Sequence, residues 1–472
     1  LHKEYRRQRQ MCIRDRGNQV FLAWGALSLK ARRVRRRLHV PADIWQHPAR
    51  LEWGMSETSI FTGIVAAAIV LQVLVKTWLA QRQVRHVGAH RGEVPEAFRG
   101  AVSLQAHQRA ADYTRAKSRL GSLELLYGTL MLLAWTLGGG LHLVNEMLLA
   151  VMGPGMLQQL ALLGVFAGLS ALLDLPFSLY QTFVIEQRFG FNRMTVSLWL
   201  GDALKGLFLS VLIGLPLAAL MLWLMGAAGQ AWWLWAWAVW TGFSLLLLVI
   251  YPMFIAPLFN KFKPLDDEVL KSRVTALMQR CGFSAQGFYV MDGSRRSAHA
   301  NAYFTGFGAA KRVVFYDTLL SKLNAAEVDA VLAHELGHFR HKHIVKRMVT
   351  MFLMSLGGFA LLGLLAAQTW FYTGLGVQPT LGGPNDALAL LLFMLVVPVF
   401  TFFLSPVMAA SSRKHEFEAD RYAMDQTDGR DLTSALLKLY EDNASTLTPD
   451  PLFARFYYSH PPASERLAHL AG

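Results

Sequence analysis

Val331-Leu332-Ala333-His334-Glu335-Leu336-Gly337-His338 places two histidines four residues apart, with a glutamate directly after the first. On an α-helix that spacing projects both imidazoles from one face, where they can hold a single Zn²⁺, with Glu335 beside the water such a site activates. Helix is the expected state of this stretch. Asn324 and Glu327 have capping-box spacing, Ala325, Ala326, Ala330 and Ala333 favour helix, and Val328, Val331, Leu332 and Leu336 recur at helical intervals. No proline interrupts the run. One zinc ion per chain, on His334 and His338, is the cofactor this pattern implies.

The chain around it is too apolar for an ordinary soluble protein: 53% of its 472 residues are hydrophobic and 17% charged. Its two cysteines, Cys12 and Cys281, are far apart and in unlike surroundings, which argues against a disulfide framework and excludes a cysteine zinc site. The net charge of +14 is uneven, since residues 1–54 carry thirteen Lys/Arg against four Asp/Glu, leaving only +5 for the rest. That basic stretch could be an arm for anionic lipid or nucleic acid, or a disordered extension. The reading preferred here is that it is foreign, and no nucleic-acid partner is assigned. Gln10-Met11-Cys12-Ile13-Arg14-Asp15-Arg16 looks like translated adapter sequence, and Met55-Ser56-Glu57-Thr58 looks like a natural start.

Apolar windows long enough to cross a bilayer fall near 59–80, 122–152, 158–184, 196–225, 231–258, 347–371 and 387–409. Seven transmembrane helices are therefore expected. Loop 81–121 holds eight Lys/Arg and the connection 185–195 holds Arg188 and Arg193, whereas 153–157, 226–230 and 372–386 hold none. Under the positive-inside rule the basic loops are cytoplasmic, and the His334 segment lies on their side. Lys76, His142, Asn145, Glu146, Asp174, Asp202 and Lys205 fall within the apolar windows; either they line a polar cavity or they snorkel from span ends.

Residues 261–346 form the longest polar stretch and read as a small α+β unit. Asp266, Asp267 and Glu268 open a helix with an apolar face of Val269, Leu270, Val274, Leu277 and Met278. Strands are expected at Gly287–Met291, Asn301–Thr305 and Arg312–Tyr316. The second could bind a peptide as an added strand through Asn301, Ala302 and Tyr303, or it could be a core strand. Zinc needs a third protein ligand and an open fourth position. After the seventh window, Glu416 and Asp420 share a helix face, so that Glu416 could bind the metal while Asp420 anchors a ligating histidine. Glu418 points elsewhere on that helix, and His415 competes as a ligand.

Several separated motifs resemble the integral-membrane zinc peptidases of the Ste24/CAAX prenyl protease type, in the M48 group. They are His107 to Tyr113, Thr182 to Gly190, Tyr251 to Pro257, Asn301 to Phe304, the HExxH at 334–338, Glu416 to Asp420, and Ser459-His460-Pro461-Pro462, within a match from about Thr58 to Leu470. The resemblance implies a seven-helix barrel around a chamber, closed at one end by the peptidase unit. It assigns the third zinc ligand to Glu416 and places His460 and Arg466 where substrate or transition state is contacted, as donors to an oxyanion. The organisation expected is an extension at 1–54, spans 1–5 in 55–260, a peptidase insertion at 261–346, spans 6–7 in 347–410 and a C-terminal segment 411–472 completing the site. Together these predict a monomeric zinc endopeptidase of a bacterial inner membrane, with its site on the cytoplasmic side. It would cleave membrane-associated or lipidated peptides in CAAX-type processing or quality control. A transporter with an incidental HExxH, and a zinc-binding but idle scaffold, are the alternatives.

Overall fold

The structure, a computed structural model, describes residues 56–283, 287–305 and 312–471, so the basic stretch and the Met55 start lie outside it. Among the described residues, six uninterrupted helices are long and apolar enough to cross a membrane: Glu57–Ala89, Met156–Glu186, Val196–Ala227, Gly229–Phe259, His343–Leu365 and Asp386–Gln426. A bent pair, Leu104–Trp135 and Gly140–Met152, meeting at 45°, stands second in chain order and makes seven spans when counted as one. A hydropathy window averages across this break, which the run Gly138-Gly139-Gly140 marks locally. Gly139 takes φ 73°, and Gly376 packs so closely on the turn that a Cβ there would meet the Thr136 carbonyl at 2.6 Å. Each span packs on the next, and the seventh returns to the first, closing a ring. Leu74, Leu207, Phe208 and Leu364 are exposed large apolar side chains on the spans.

The polar residues of the spans divide by depth. Asp202 accepts from Arg296 at 2.8 and 3.0 Å and therefore sits at the end facing the peptidase unit. Asn145 accepts from the buried Gln158 at 2.9 Å, while Gln72 and Lys76 help line a cavity of about 260 Å³ that Trp135, Phe166 and Pro398 also border.

The peptidase unit is built around a mixed four-stranded sheet of β1 (Phe262–Pro264), β2 (Gly287–Met291), β3 (Ala302–Thr305) and β4 (Arg312–Tyr316), in the order β1-β2-β4-β3. β2 and β4 are parallel, and β1 and β3 pair antiparallel at the two edges. The helix Glu268–Arg280 is N-capped by Asp267, whose side chain accepts from the Leu270 N–H at 2.9 Å. Its buried residues are Leu270, Val274, Leu277 and Met278. Val269, expected among them, is 71% exposed because it lies one residue, about 100°, off that stripe.

This core does not end at the insertion. Leu270, Val274, Val313, Phe315, Leu332 and Leu336 pack in one cluster with Ala423, Leu432, Ala435, Leu436 and Leu470 from the C-terminal stretch. The two stretches fold as one body, and the helices that carry the site run straight into the spans. The HExxH helix, Ala325–Arg340, is followed after two residues by His343–Leu365. Asp386–Gln426 passes from the seventh span to Glu416 without a stop.

Contacts place the basic loops at the same end. Arg82 pairs with Asp450 at 2.9 Å, Tyr113 donates to Glu186 at 2.7 Å, and the Arg193 N–H donates to the Arg296 carbonyl at 3.2 Å. The connections free of Lys and Arg gather opposite, where Gly383 lies against Pro154 and Gly226 near Asp386.

Candidate metal centre

The HExxH helix begins on the expected capping box, with Asn324 Oδ1 accepting from the Glu327 N–H at 3.0 Å and Glu327 Oε2 from the Asn324 N–H at 2.8 Å. Glu327 also binds Ser434 at 2.6 Å and Lys438 at 2.8 Å, which locks this helix to Gly429–Asp442. At its other end it meets the Glu416 helix. A Cβ on Gly337 would lie 2.9 Å from Ala419 Cα and 3.0 Å from its carbonyl oxygen, so the two backbones approach as only glycine allows. Gly337→Ala is expected to push them apart, lowering stability by about 1–3 kcal/mol. It should also draw Glu416 away from the histidines. A melting curve and a metal-content measurement check both effects, and a variant that retains metal at wild-type stability would show that the approach is dispensable.

Ligand atoms of three residues converge across this contact. The Nε2 atoms of His334 and His338 are 3.2 Å apart, and each lies 3.5 Å from a Glu416 carboxylate oxygen. For metal bonds of roughly 2.0–2.1 Å, the edge of a tetrahedral zinc site is about 3.4 Å. Glu416 Oε2 is moreover buried without a hydrogen-bond partner, a state that a bound cation relieves. The three residues therefore fit a His₂Glu metal site. His415 is not among the converging atoms, since its ring stacks on His343 at 4.1 Å instead.

The charges around the triangle are strongly shaped by burial. Burial lowers the His334 imidazole, but its hydrogen bond to Asp420 and the nearby Glu416 carboxylate outweigh that and push it up to about 9. His338 is held down to about 3 by burial and by His334. Because an imidazolium cannot ligate, both rings must be neutral to hold a metal, and metal entry competes with protons at this site. Glu335 makes none of the triangle's contacts, and burial, with the Glu416 charge adding, pushes its carboxyl up to about 7. His460 approaches the same site, its Nε2 3.4 Å from Glu416 Oε1. Burial lowers its imidazole, which keeps it neutral at pH 7.

Asp420 sits behind His334 and accepts from its Nδ1 at 2.7 Å. Arg466, the expected oxyanion donor, also pairs with Asp420 through Nε at 2.8 Å and through Nη2. The guanidinium is nearly fully buried, and pairing with that carboxylate keeps it charged. Asn301 precedes β3, with its carbonyl accepting from the Tyr316 N–H at 3.0 Å and its side chain from the Ala302 N–H at 2.8 Å. Ala302 and Tyr303 lie on β3, an edge strand among the described residues. Phe304 meets Phe339, next to His338, edge-on at 5.1 Å, so the open edge runs beside the metal helix.

Sequence reasoning missed two features of this site. Glu418, set aside on the wrong helix face, accepts from His343 Nε2 at 2.8 Å, and His343 Nδ1 lies 3.0 Å from His338 Nδ1. The small pair Gly337 and Ala419 was the only local sign of the helix contact.

Residues 83–261 match the family model described as CAAX prenyl protease N-terminal, five membrane helices, and residues 264–472 match peptidase family M48. The chain is 34% identical to the CAAX prenyl protease 1 homolog of Arabidopsis thaliana, over 87% of this chain and 98% of that protein. It is 34% identical to CAAX prenyl protease 1 of Saccharomyces cerevisiae, covering 86% and 94%. The human homolog is 32% identical, covering 90% and 97%. Among solved structures, S. mikatae Ste24p superposes with a TM-score of 0.82 at 31% identity, over 87% of this chain and 99% of that one.

Proposed function

The chain belongs to peptidase family M48, in its Ste24/CAAX prenyl protease branch, and from that premise we propose that one zinc ion on His334, His338 and Glu416 serves peptide-bond hydrolysis in this chain. It is a membrane metalloprotease whose spans form a helical barrel around a chamber, and the relatives above leave a transporter reading without support. The carrying observation is the convergence of the two Nε2 atoms, 3.2 Å apart, on the Glu416 carboxylate, with His334 Nε2 3.5 Å from Oε2 and His338 Nε2 3.5 Å from Oε1.

When bound, the zinc polarises the scissile carbonyl and acidifies water. Glu335 takes the water's proton and delivers it to the leaving amine. Asp420 holds His334 in the tautomer that frees Nε2, and Arg466 holds Asp420. The neutral His460 donates to the developing oxyanion. The substrate backbone adds to the open edge of β3, aligned by Asn301, Ala302 and Tyr303. The distribution of Lys and Arg supports a bacterial inner-membrane location with this end cytoplasmic, and the monomer holds every group the mechanism needs.

The substrate class is membrane-associated or lipidated peptides, cut in CAAX-type processing or in quality control of membrane proteins. Purified chain in lipid discs should contain one zinc and cleave such peptides, lose activity to a chelator and regain it with zinc. Cleavage that persists in metal-free protein would overturn the reading.

A further inference from the structure

His343 and Glu418 belong to none of the roles above, yet they stand in a continuous chain with His338. His338 Nδ1 lies 3.0 Å from His343 Nδ1, and His343 Nε2 lies 2.8 Å from Glu418 Oε2. His343 is buried, while Glu418 is part-exposed and has Lys414 at 3.9 Å on its outer side. The backbone is shaped to make this contact. Between the HExxH helix and the next one, Lys342 adopts φ 55° and ψ 34°, a left-handed conformation that L side chains rarely take. That turn starts the new helix at His343 and leaves its imidazole tilted at 71° to the His338 ring, with 5.2 Å between centroids. His415 then covers the outer face of His343 as a stacked ring.

We propose that His343 and Glu418 form a positioning relay that fixes the tautomer and orientation of His338 for metal binding. The inference rests on the metal site proposed above, and the protons fix its direction. His338 presents Nε2 to the ligand triangle, so its lone pair is needed there and its one ring proton sits on Nδ1. That proton is donated to His343 Nδ1. Neutral His343 then carries its own proton on Nε2 and donates it to the Glu418 carboxylate, which only accepts. The opposite polarity would put a proton on His338 Nε2, where the metal must bind. Each ligating imidazole thus has a carboxylate behind it: Asp420 serves His334 directly, and Glu418 serves His338 through one intervening ring.

The test measures zinc affinity of the full chain in detergent, using zinc buffered by a chelator, and does not depend on turnover. His343→Ala should weaken zinc roughly ten- to a hundred-fold. His343→Gln, whose amide oxygen can accept the His338 Nδ1 proton, should recover part of that loss. Glu418→Ala should weaken zinc less than His343→Ala, and in a His343→Ala background it should add nothing, because its effect passes through that ring. Three results overturn the relay: His343→Ala binding zinc within about twofold of wild type, no recovery in His343→Gln, or an undiminished Glu418→Ala effect in the double variant. If His343→Ala does not fold, the part-exposed Glu418→Ala decides alone, and wild-type affinity overturns the proposal. Wild-type protein that binds no zinc would instead overturn the underlying metal site.

Discussion

Glu335→Gln is expected to abolish peptide cleavage while zinc stays bound. Gln keeps the shape and most of the polarity of Glu335 but cannot accept a proton from water, so the variant removes the base and leaves His334, His338 and Glu416 in place. A positioned general base contributes typically about 10²–10⁴ in rate, and the measured loss should lie at or above the upper end. The same carboxyl sets the acid limb of the pH profile. Burial pushes it up to about 7 in the metal-free protein, and its basic form exists only above its pKa, so activity rises with pH as this carboxyl ionises. A bound dication favours the carboxylate and moves the limb to lower pH. Turnover and metal content measured together check this: full activity, or zinc loss, in Glu335→Gln contradicts the role, and a metal-loaded wild type with no activity would mark an idle scaffold.

The second large effect is expected at Asp420. Its side chain is fully buried and accepts from His334 at 2.7 Å and from Arg466, itself almost completely buried. Asp420→Ala leaves that guanidinium as an uncompensated charge in the core, and breaking such a pair costs about 3–5 kcal/mol. It also frees the His334 ring, so zinc should weaken roughly ten- to a hundred-fold. The two consequences separate experimentally. Melting in the presence of a chelator reports the stranded Arg466, and zinc titration of the folded fraction reports His334. A variant that melts like wild type would mean that Arg466 finds another partner, and the reading of the pair as structural would fail.

The metal helix was legible because its information is local. The capping box of Asn324 and Glu327, the apolar spacing and the four-residue separation of His334 and His338 all act within a few turns, and the structure reproduces each of them. Span positions were legible for a similar reason, since twenty apolar residues need no partner to reveal themselves. Where local signals compete, the reading slipped. Val269 is as apolar as Leu270, and only the helix phase tells which one is buried. The turn at Gly139 interrupts a span whose mean hydropathy passes straight through it.

The sequence by itself determined the helix that offers His334, Glu335 and His338, the position of the apolar spans and the end of the molecule to which the basic loops belong. It did so because helical periodicity, hydropathy and charge counts are properties of neighbouring residues. Only the tertiary structure decided that Arg466 pairs with Asp420 and that Glu418 meets His343 beside His338. Those contacts join residues 46 and 75 positions apart. Their existence depends on two helices meeting at Gly337 and Ala419, a close approach whose trace in the sequence is no more than that pair of small residues.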